Sequence, residues 1–132
     1  MAVTEGIRVE AEAFYKEDQS DPDARQYRFE YTIAISNEGH EPAQLRSRHW
    51  IIVDADGKRE DVRGKGVVGE YPQLAPGESY SYLSFCPLST TWGTMEGSYL
   101  YERDDGKRFA VAIGRFFLVP SAPPLALESA SS

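Results

Sequence analysis

The stretch that decides the fold is Tyr27-Arg28-Phe29-Glu30-Tyr31-Thr32-Ile33-Ala34-Ile35-Ser36. Large apolar side chains occupy every second position, and polar or small ones lie between them. Neighbouring side chains of a β-strand point to opposite faces, so this alternation predicts a strand that is buried on one face only. Aromatic and β-branched residues are also more typical of strands than of helices.

Six further segments on either side carry strand signals, and turn sequences separate them. They are residues 7–16, 44–54, 58–63, 79–86, 95–103 and 109–119. Residues 54–57 (Asp-Ala-Asp-Gly) and 104–107 (Asp-Asp-Gly-Lys) are typical of hairpin turns. No amphipathic helix of ten residues is found. We therefore expect an all-β domain, a two-sheet antiparallel β-sandwich of the immunoglobulin or fibronectin type III-like class with seven to eight strands.

Two strands give more detailed expectations. Trp50-Ile51-Ile52-Val53 is apolar on both faces, which predicts a central strand covered on both sides. In the last strand, alternate positions are apolar except at Arg115, and we expect those side chains to share one face: Phe109, Val111, Ile113, Phe117 and Val119.

Length and composition limit the protein's class. A chain of 132 residues predicts one domain, here residues 1–119, followed by a proline-rich mobile tail at 120–132. Cys86 is the only cysteine, so no disulfide forms within the chain. With no signal sequence and no apolar run long enough to span a membrane, we expect a cytoplasmic protein without membrane contact. The net charge of −7 argues against nucleic-acid binding.

A glycine-rich segment follows the fourth predicted strand. Gly64-x-Gly66-x-x-Gly69 fits the dinucleotide-binding pattern in letters, but Pro72 follows where that pattern needs a helix. Two interpretations remain: a loop in which glycine permits unusual backbone geometry, or a nest of N–H groups that binds phosphate or pyrophosphate. The candidate anion-binding loop is Gly64, Lys65, Gly66, Val67, Val68 and Gly69.

Basic residues are concentrated next to this loop. Residues 46–65 contain six basic and four acidic side chains, a local balance of +2 in an acidic protein. A locally cationic segment in an acidic protein points to an anionic ligand. Because Arg and aromatic side chains are favoured at binding hot spots, the segment also predicts a protein-interaction surface. Its candidate residues are Arg46, Arg48, Arg63, Lys65 and Tyr71. The alternative is a solvated face of mixed charge.

Catalytic and metal-binding patterns are not found in the sequence. No Gly-x-Ser-x-Gly elbow occurs, and Cys86 is interpreted as a core residue. The two histidines, His40 and His49, lack metal-ligand spacing, and the acidic residues from Asp54 to Asp61 do not complete a calcium loop. We expect no catalytic residue, no metal site and no cofactor.

Several ordered blocks resemble the ApaG family across residues 7–119. They are the alternating strand from Tyr27 to Asn37, Arg48-His49-Trp50-x-Ile52-x-Asp54-x-x-Gly57, Gly64-x-Gly66-Val67-Val68-Gly69, Leu74-x-Pro76-Gly77-Glu78 and Gly93-Thr94-Met95-x-Gly97-x-Tyr99. The resemblance implies a fibronectin type III-like sandwich. Bacterial members are linked to cobalt resistance and magnesium efflux, and similar eukaryotic domains look like protein-interaction modules.

Three functions are ranked on these grounds. The first is a non-enzymatic binding domain that recognises a protein partner, as a monomer or a homodimer. The second is binding of a phosphate-containing small molecule through the glycine-rich loop. Hydrolysis of a phosphorylated metabolite comes last, because no base or metal set is visible in the sequence.

Overall fold

The computed structural model describes residues 2–120, which form nine β-strands and two short 3-10 turns. The strands are β1 (Ala2–Thr4), β2 (Ile7–Tyr15), β3 (Tyr27–Asn37), β4 (Ala43–Asp54), β5 (Arg59–Lys65), β6 (Gln73–Leu74), β7 (Ser79–Leu88), β8 (Gly93–Arg103) and β9 (Arg108–Leu118). The 3-10 turns, Glu17–Gln19 and Pro22–Ala24, lie in the polar connection between β2 and β3.

The strands form two antiparallel sheets, which confirms the predicted β-sandwich. One sheet has the order β1-β2-β3-β7; the other has the order β5-β4-β8-β9, with β6 added to β4. All seven predicted strands are present. The count exceeds seven to eight because β1 and β6 have three and two residues, too few to give a periodic signal. The narrower immunoglobulin or fibronectin type III-like class stays a prediction.

The core lies between the two sheets and is rich in aromatic side chains. The alternation in β3 is confirmed, because Phe29, Tyr31 and Ile33 are all at most 5% exposed. Trp50 of β4 lies at the centre, with ring centroids 5.5 Å from Tyr31, 6.3 Å from Tyr99 and 5.9 Å from Phe116. Edge-on contacts of this kind stabilise a core beyond the burial of apolar area. Trp50 therefore belongs to the core.

The expectation for the last strand is wrong at its end. Phe117 and Val119 are 58% and 46% exposed, whereas Phe116 and Leu118 face the core. The cause is a β-bulge: Met95 pairs with Phe116 but Gly97 pairs with Ile113, so β9 has one extra residue there. An extra residue reverses which side chains face inward beyond it.

A second bulge lies in β4, at Arg46. Leu45 pairs with Tyr101 and Ser47 pairs with Leu100, so Arg46 has no partner on β8. Strand β4 is central, as predicted, between β5 and β8. The expectation that both of its faces are covered is wrong, because Ile51 and Val53 lie on the outer face of the sheet and are only half-buried.

Buried hydrogen bonds fix the segments that connect the strands and also join the two sheets. The side-chain amide of Asn37, which is 1% exposed, donates to the carbonyls of Glu41 and Leu74 at 2.8 and 2.9 Å. The hydroxyls of Tyr82 and Tyr99 share a buried hydrogen bond between the two sheets. These contacts satisfy polar groups that would otherwise destabilise the interior.

Of the predicted tail, residues 121–132 lie outside the part of the chain that the structure describes. Within residues 2–120, no helix is both long and apolar enough to cross a membrane.

The first testable prediction concerns Cys86, which is 4% exposed. Burial raises the pKa of its thiol to about 12. Since only the thiolate reacts, we expect native protein to react with iodoacetamide at pH 8 at least about 100-fold more slowly than unfolded protein. Mass spectrometry measures the two rates, with protein in guanidinium chloride as the control. Equal rates in native and unfolded protein would contradict a buried Cys86.

Candidate functional site

The glycine-rich segment is part strand and part turn. Gly64 and Lys65 end β5, where they pair with Arg48 and Ser47 of β4. The loop was predicted to begin at Gly64, but the strand continues through Lys65, so the predicted boundary is wrong by two residues. The turn begins at Gly66, whose N–H donates to the carbonyl of Arg46 at 3.0 Å.

A tight hairpin turn follows. Val67 and Glu70 exchange two backbone hydrogen bonds of 2.9 and 2.8 Å. Between them, Val68 and Gly69 have φ angles of +43° and +82°. Positive φ at both central residues is the geometry of a type I′ turn. Val67 is fully buried, so it anchors the turn in the core.

Val68 is an unusual residue for this position. Type I′ turns favour glycine, asparagine or aspartate, because a β-branched side chain is strained at positive φ. Such strain costs roughly 1–3 kcal/mol. The side chain is also 54% exposed, so burial offsets little of that energy.

Arg48 connects the turn to the sheet from the inner side. Its Nη1 atom donates to the carbonyls of Lys65 and Gly66 at 3.0 and 2.9 Å. The guanidinium lies over Gly64: a Cβ atom placed there would be 2.7 Å from the guanidinium carbon. Arg48 therefore holds the turn in place and does not belong to an outer interaction surface.

The spacing of the three glycines follows from these contacts. Gly64 leaves room for the guanidinium of Arg48. Gly66 has a φ of +64°, and a Cβ atom there would collide with the carbonyl oxygen of Glu70. Gly69 completes the turn. The N–H groups of Gly66, Val67 and Glu70 are used in backbone hydrogen bonds. Only part of the predicted anion nest is left, so pyrophosphate binding at this turn stays a prediction.

A shallow groove of about 440 Å³ lies on the outer face of the five-stranded sheet, beside the turn. We call it the cationic groove. It is lined by Gln44, Arg46, Ser47, Lys65, Tyr71, Leu100 and Arg108.

Strand pairing explains how these side chains meet. Ser47 is paired with Lys65 on one side and with Leu100 on the other, so the three form one row across the sheet. In the next row, Glu102 pairs with Gln44 and with Arg108. The bulged residue Arg46 lies between these rows, and Tyr71 comes from the segment after the turn.

Positive charge exceeds negative charge in the groove. Glu102 is 3.5 Å from Arg46 and 3.8 Å from Arg108 and is the one acidic side chain that pairs with the groove cations among residues 2–120. Lys65 has no ion-pair partner within the same described residues. The guanidinium of Arg46 also lies 5.8 Å from the ring centroid of Tyr71, a cation–π contact.

The structure separates the residues predicted for the interaction surface. Arg46, Lys65 and Tyr71 line the groove. Arg63 lies two residues before Lys65 on the same face of β5 and is outside the groove lining. Arg48 turns inward instead, because the bulge at Arg46 reverses the faces of β4. Sequence reasoning missed four lining residues, which come from three strands and carry no local motif: Gln44, Ser47, Leu100 and Arg108.

His49 lies on the same outer face but does not line the groove. Its Nε2 atom is 2.8 Å from Oδ2 of Asp61, and Oδ1 of the same carboxylate accepts a 2.7 Å hydrogen bond from Nε of Arg59. The hydrogen bond from Arg59, and then the one from His49, hold the pKa of Asp61 well below its usual range. Among residues 2–120, no three His, Cys, Asp or Glu side chains are grouped so that they could hold a metal ion.

The fold and this groove define a small all-β sandwich domain with a cationic outer face. Comparison with known proteins is consistent with that class. The ApaG domain profile matches residues 17–103. The ApaG protein of Anaeromyxobacter dehalogenans strain 2CP-C is 50% identical over 118 residues, which are 89% of this chain and 93% of that protein. Brucella anthropi ApaG is 52% identical over 117 residues, 89% and 90% of the two chains.

Solved structures agree with the sequence matches. A Bordetella pertussis crystal structure described as an ApaA protein superimposes with a TM-score of 0.85 at 45% identity, covering 91% of this chain and 98% of that one. A second X-ray structure gives a TM-score of 0.83 at 41% identity and 90% coverage of both chains. The chain belongs to the ApaG family.

The second testable prediction is a double-mutant cycle between Gly64 and Arg48. Gly64→Ala forces a methyl group against the guanidinium, and we expect it to destabilise the protein by about 2 kcal/mol. In an Arg48→Met background the same change should cost less than about 1 kcal/mol, because the clash is gone. Urea unfolding measures all four free energies of unfolding.

Gly114→Ala is the matched control for this cycle. A Cβ on Gly114 meets nothing closer than Ala2 Cβ at 4.0 Å, so its effect should be small and the same in both backgrounds. A cost of Gly64→Ala that does not depend on residue 48 would show that Arg48 does not occupy this space.

The third testable prediction concerns pyrophosphate. Because Gly66 and Val67 donate to backbone carbonyls, we expect their amide chemical shifts to stay fixed when pyrophosphate is added. Two-dimensional NMR at matched ionic strength measures these shifts, with sodium sulfate as the control anion. Saturable shifts with pyrophosphate alone, at these two amides or at those of Val68 and Gly69, would instead support the anion-binding loop.

Proposed function

We propose that this domain is a non-enzymatic binding module that recognises an acidic segment of a partner protein through the cationic groove. The observation that carries the proposal is the convergence of Arg46, Lys65 and Arg108 around one opening, with Glu102 as their acidic neighbour. In a protein of net charge −7, such local positive charge favours an acidic partner and speeds its association.

The groove also has apolar surface that suits a peptide. Tyr71 is 43% exposed beside Arg46, and Leu100 forms part of the floor. Tyrosine and arginine are common at the energetic centre of protein interfaces. Val68, three residues before Tyr71, is an exposed apolar side chain near the groove in sequence, but it does not line the groove. Together these groups favour a segment that carries both acidic and apolar side chains.

Family membership fits a binding role and leaves the partner open. The ApaG resemblance implies a link to cobalt resistance and magnesium efflux, and we propose that any such effect passes through the partner protein in the cytoplasm. The alternative, a small anion at the glycine-rich turn, has less support. It relies on the Lys65 side chain and on the two amides at the tip of the turn, Val68 and Gly69.

The fourth testable prediction compares charge-reversal variants in affinity capture from the source cell's extract. We expect Lys65→Glu and Arg108→Glu to reduce recovery of the specific partner at least about tenfold, because each replaces attraction by repulsion. Lys58→Glu is the matched control, since Lys58 is an exposed lysine in the hairpin that precedes β5, outside the groove. Quantitative mass spectrometry measures recovery at two salt concentrations.

Two results would contradict the proposal. Equal recovery with all three variants would show that the partner does not use the groove. Turnover of a phosphate-ester panel by the purified protein, abolished by Lys65→Glu, would replace a binding module by an enzyme. Arg48→Glu does not serve as a test of the surface, because it would also release the turn.

A further inference from the structure

The exposed edges of the two sheets differ sharply. Edge strand β5 has five charged residues among its seven, a composition that discourages pairing with another chain. Edge strand β9 is partly covered, because the N–H of Ala112 donates to Oγ1 of Thr4 at 3.2 Å. Edge strand β1 has three residues. Edge strand β7 is ten residues long and contains no charged residue.

The free edge of β7 can be assigned from the hydrogen-bond pattern. In an antiparallel pair, alternate residues direct both N–H and C=O to the same neighbour. The N–H of Asn37 donates to the carbonyl of Glu78 at 2.9 Å, and Ile35 pairs with Tyr80 two residues further along. The even-numbered residues of β7 therefore bond to β3, and the odd-numbered residues face away from it.

Two observations agree with this assignment. The N–H of Lys16 donates to the carbonyl of Arg28, so the even-numbered residues of β3 bond to β2 and its odd-numbered residues are left for β7. Pro87, which has no N–H, occupies an odd position, where a missing donor breaks no bond to β3. Ser81, Leu83 and Phe85 thus present N–H and C=O groups along an edge that has no further strand among residues 2–120.

The side chains along this edge are partly apolar. Leu83 and Phe85 are 45% and 39% exposed on the outer face of the four-stranded sheet, and the guanidinium of Arg28 lies 4.5 Å from the ring centroid of Phe85. An uncharged edge with exposed apolar side chains is a template for strand addition.

We propose that β7 pairs with β7 of a second copy of this chain, antiparallel and about a two-fold axis at Leu83. The two four-stranded sheets then form one continuous sheet across the dimer. In this register Leu83 pairs with its own copy, and Ser81 pairs with Phe85 of the other copy. The N–H groups of all three residues find a carbonyl acceptor in the opposite strand, so the donors and acceptors of the edge are used together.

A second copy suits this edge because the strand is complementary to itself. Each copy carries a net charge of −7, but β7 itself contains no charged residue. Pairing the two strands therefore places no like charges opposite each other within β7. Pro87 comes opposite Ser79, near the end of the paired region. One pair of strands is a small interface, below about 1,200 Å² in total, which is typical of weak and concentration-dependent association.

The test combines sedimentation with amide exchange on the full chain. We expect analytical ultracentrifugation to show a reversible monomer–dimer equilibrium at concentrations up to ~1 mM. Hydrogen exchange followed by NMR should then show slower exchange at Ser81, Leu83 and Phe85 as concentration rises, with no change at Tyr80, Tyr82 and Ser84.

Leu83→Lys should abolish the dimer, because it places two lysines side by side at the two-fold axis. Phe14→Lys is the matched control: Phe14 is 43% exposed on the same outer face but lies on β2, away from the edge. Ser81→Lys gives a second edge variant at a polar exposed site, should Leu83→Lys fold poorly.

Three results would overturn the proposal. The first is a protein that remains monomeric up to ~1 mM. The second is a dimer that persists in both edge variants and therefore uses another surface. The third is slow exchange of Ser81, Leu83 and Phe85 in the monomer at every concentration, which would mean that the chain's own residues cover the edge.

Discussion

The structure depends on one extra residue in its central strand. Without the bulge at Arg46, the alternation that buries Ala43 and Leu45 would continue to Ser47 and His49, and Trp50 would point to solvent. The bulge reverses the faces, so that Trp50 enters the aromatic core and Arg48 lies beneath β5. The same residue that causes the reversal places its own guanidinium in the cationic groove.

The glycine-rich turn and the groove are therefore two consequences of the same bulge. On the inner side, Arg48 bonds to the carbonyls of Lys65 and Gly66 and requires glycine at position 64. On the outer side, Lys65 lines the groove that Arg46 also lines, because it is the neighbour of Gly64 on a strand and points the opposite way. The Gly64-x-Gly66-x-x-Gly69 motif fits the dinucleotide-binding pattern in letters. In this fold it supports the turn beside a cationic surface.

The sequence was sufficient to predict the architecture, but it predicted only part of the candidate site. Alternation predicted β3 and its buried face correctly, because eleven residues without irregularity give an unambiguous period. Periodicity did not reveal the two bulges, which reverse Arg48 in β4 and Phe117 and Val119 in β9. It also did not show that the outer face of β4, at Ile51 and Val53, has no covering layer. Arg108 was missed because its closeness to Arg46 depends on the pairing of β4, β8 and β9.

The most direct test of the central claim is amide hydrogen exchange across the turn in the wild-type protein. If Arg48 and the bulge order this segment, the amides of Gly66, Val67 and Glu70 exchange slowly, since each donates to a backbone carbonyl. The amides of Val68 and Gly69 then exchange near their intrinsic rates. Fast exchange at Gly66 and Val67 would contradict the account, because it would show a mobile loop in place of a turn that the sheet holds.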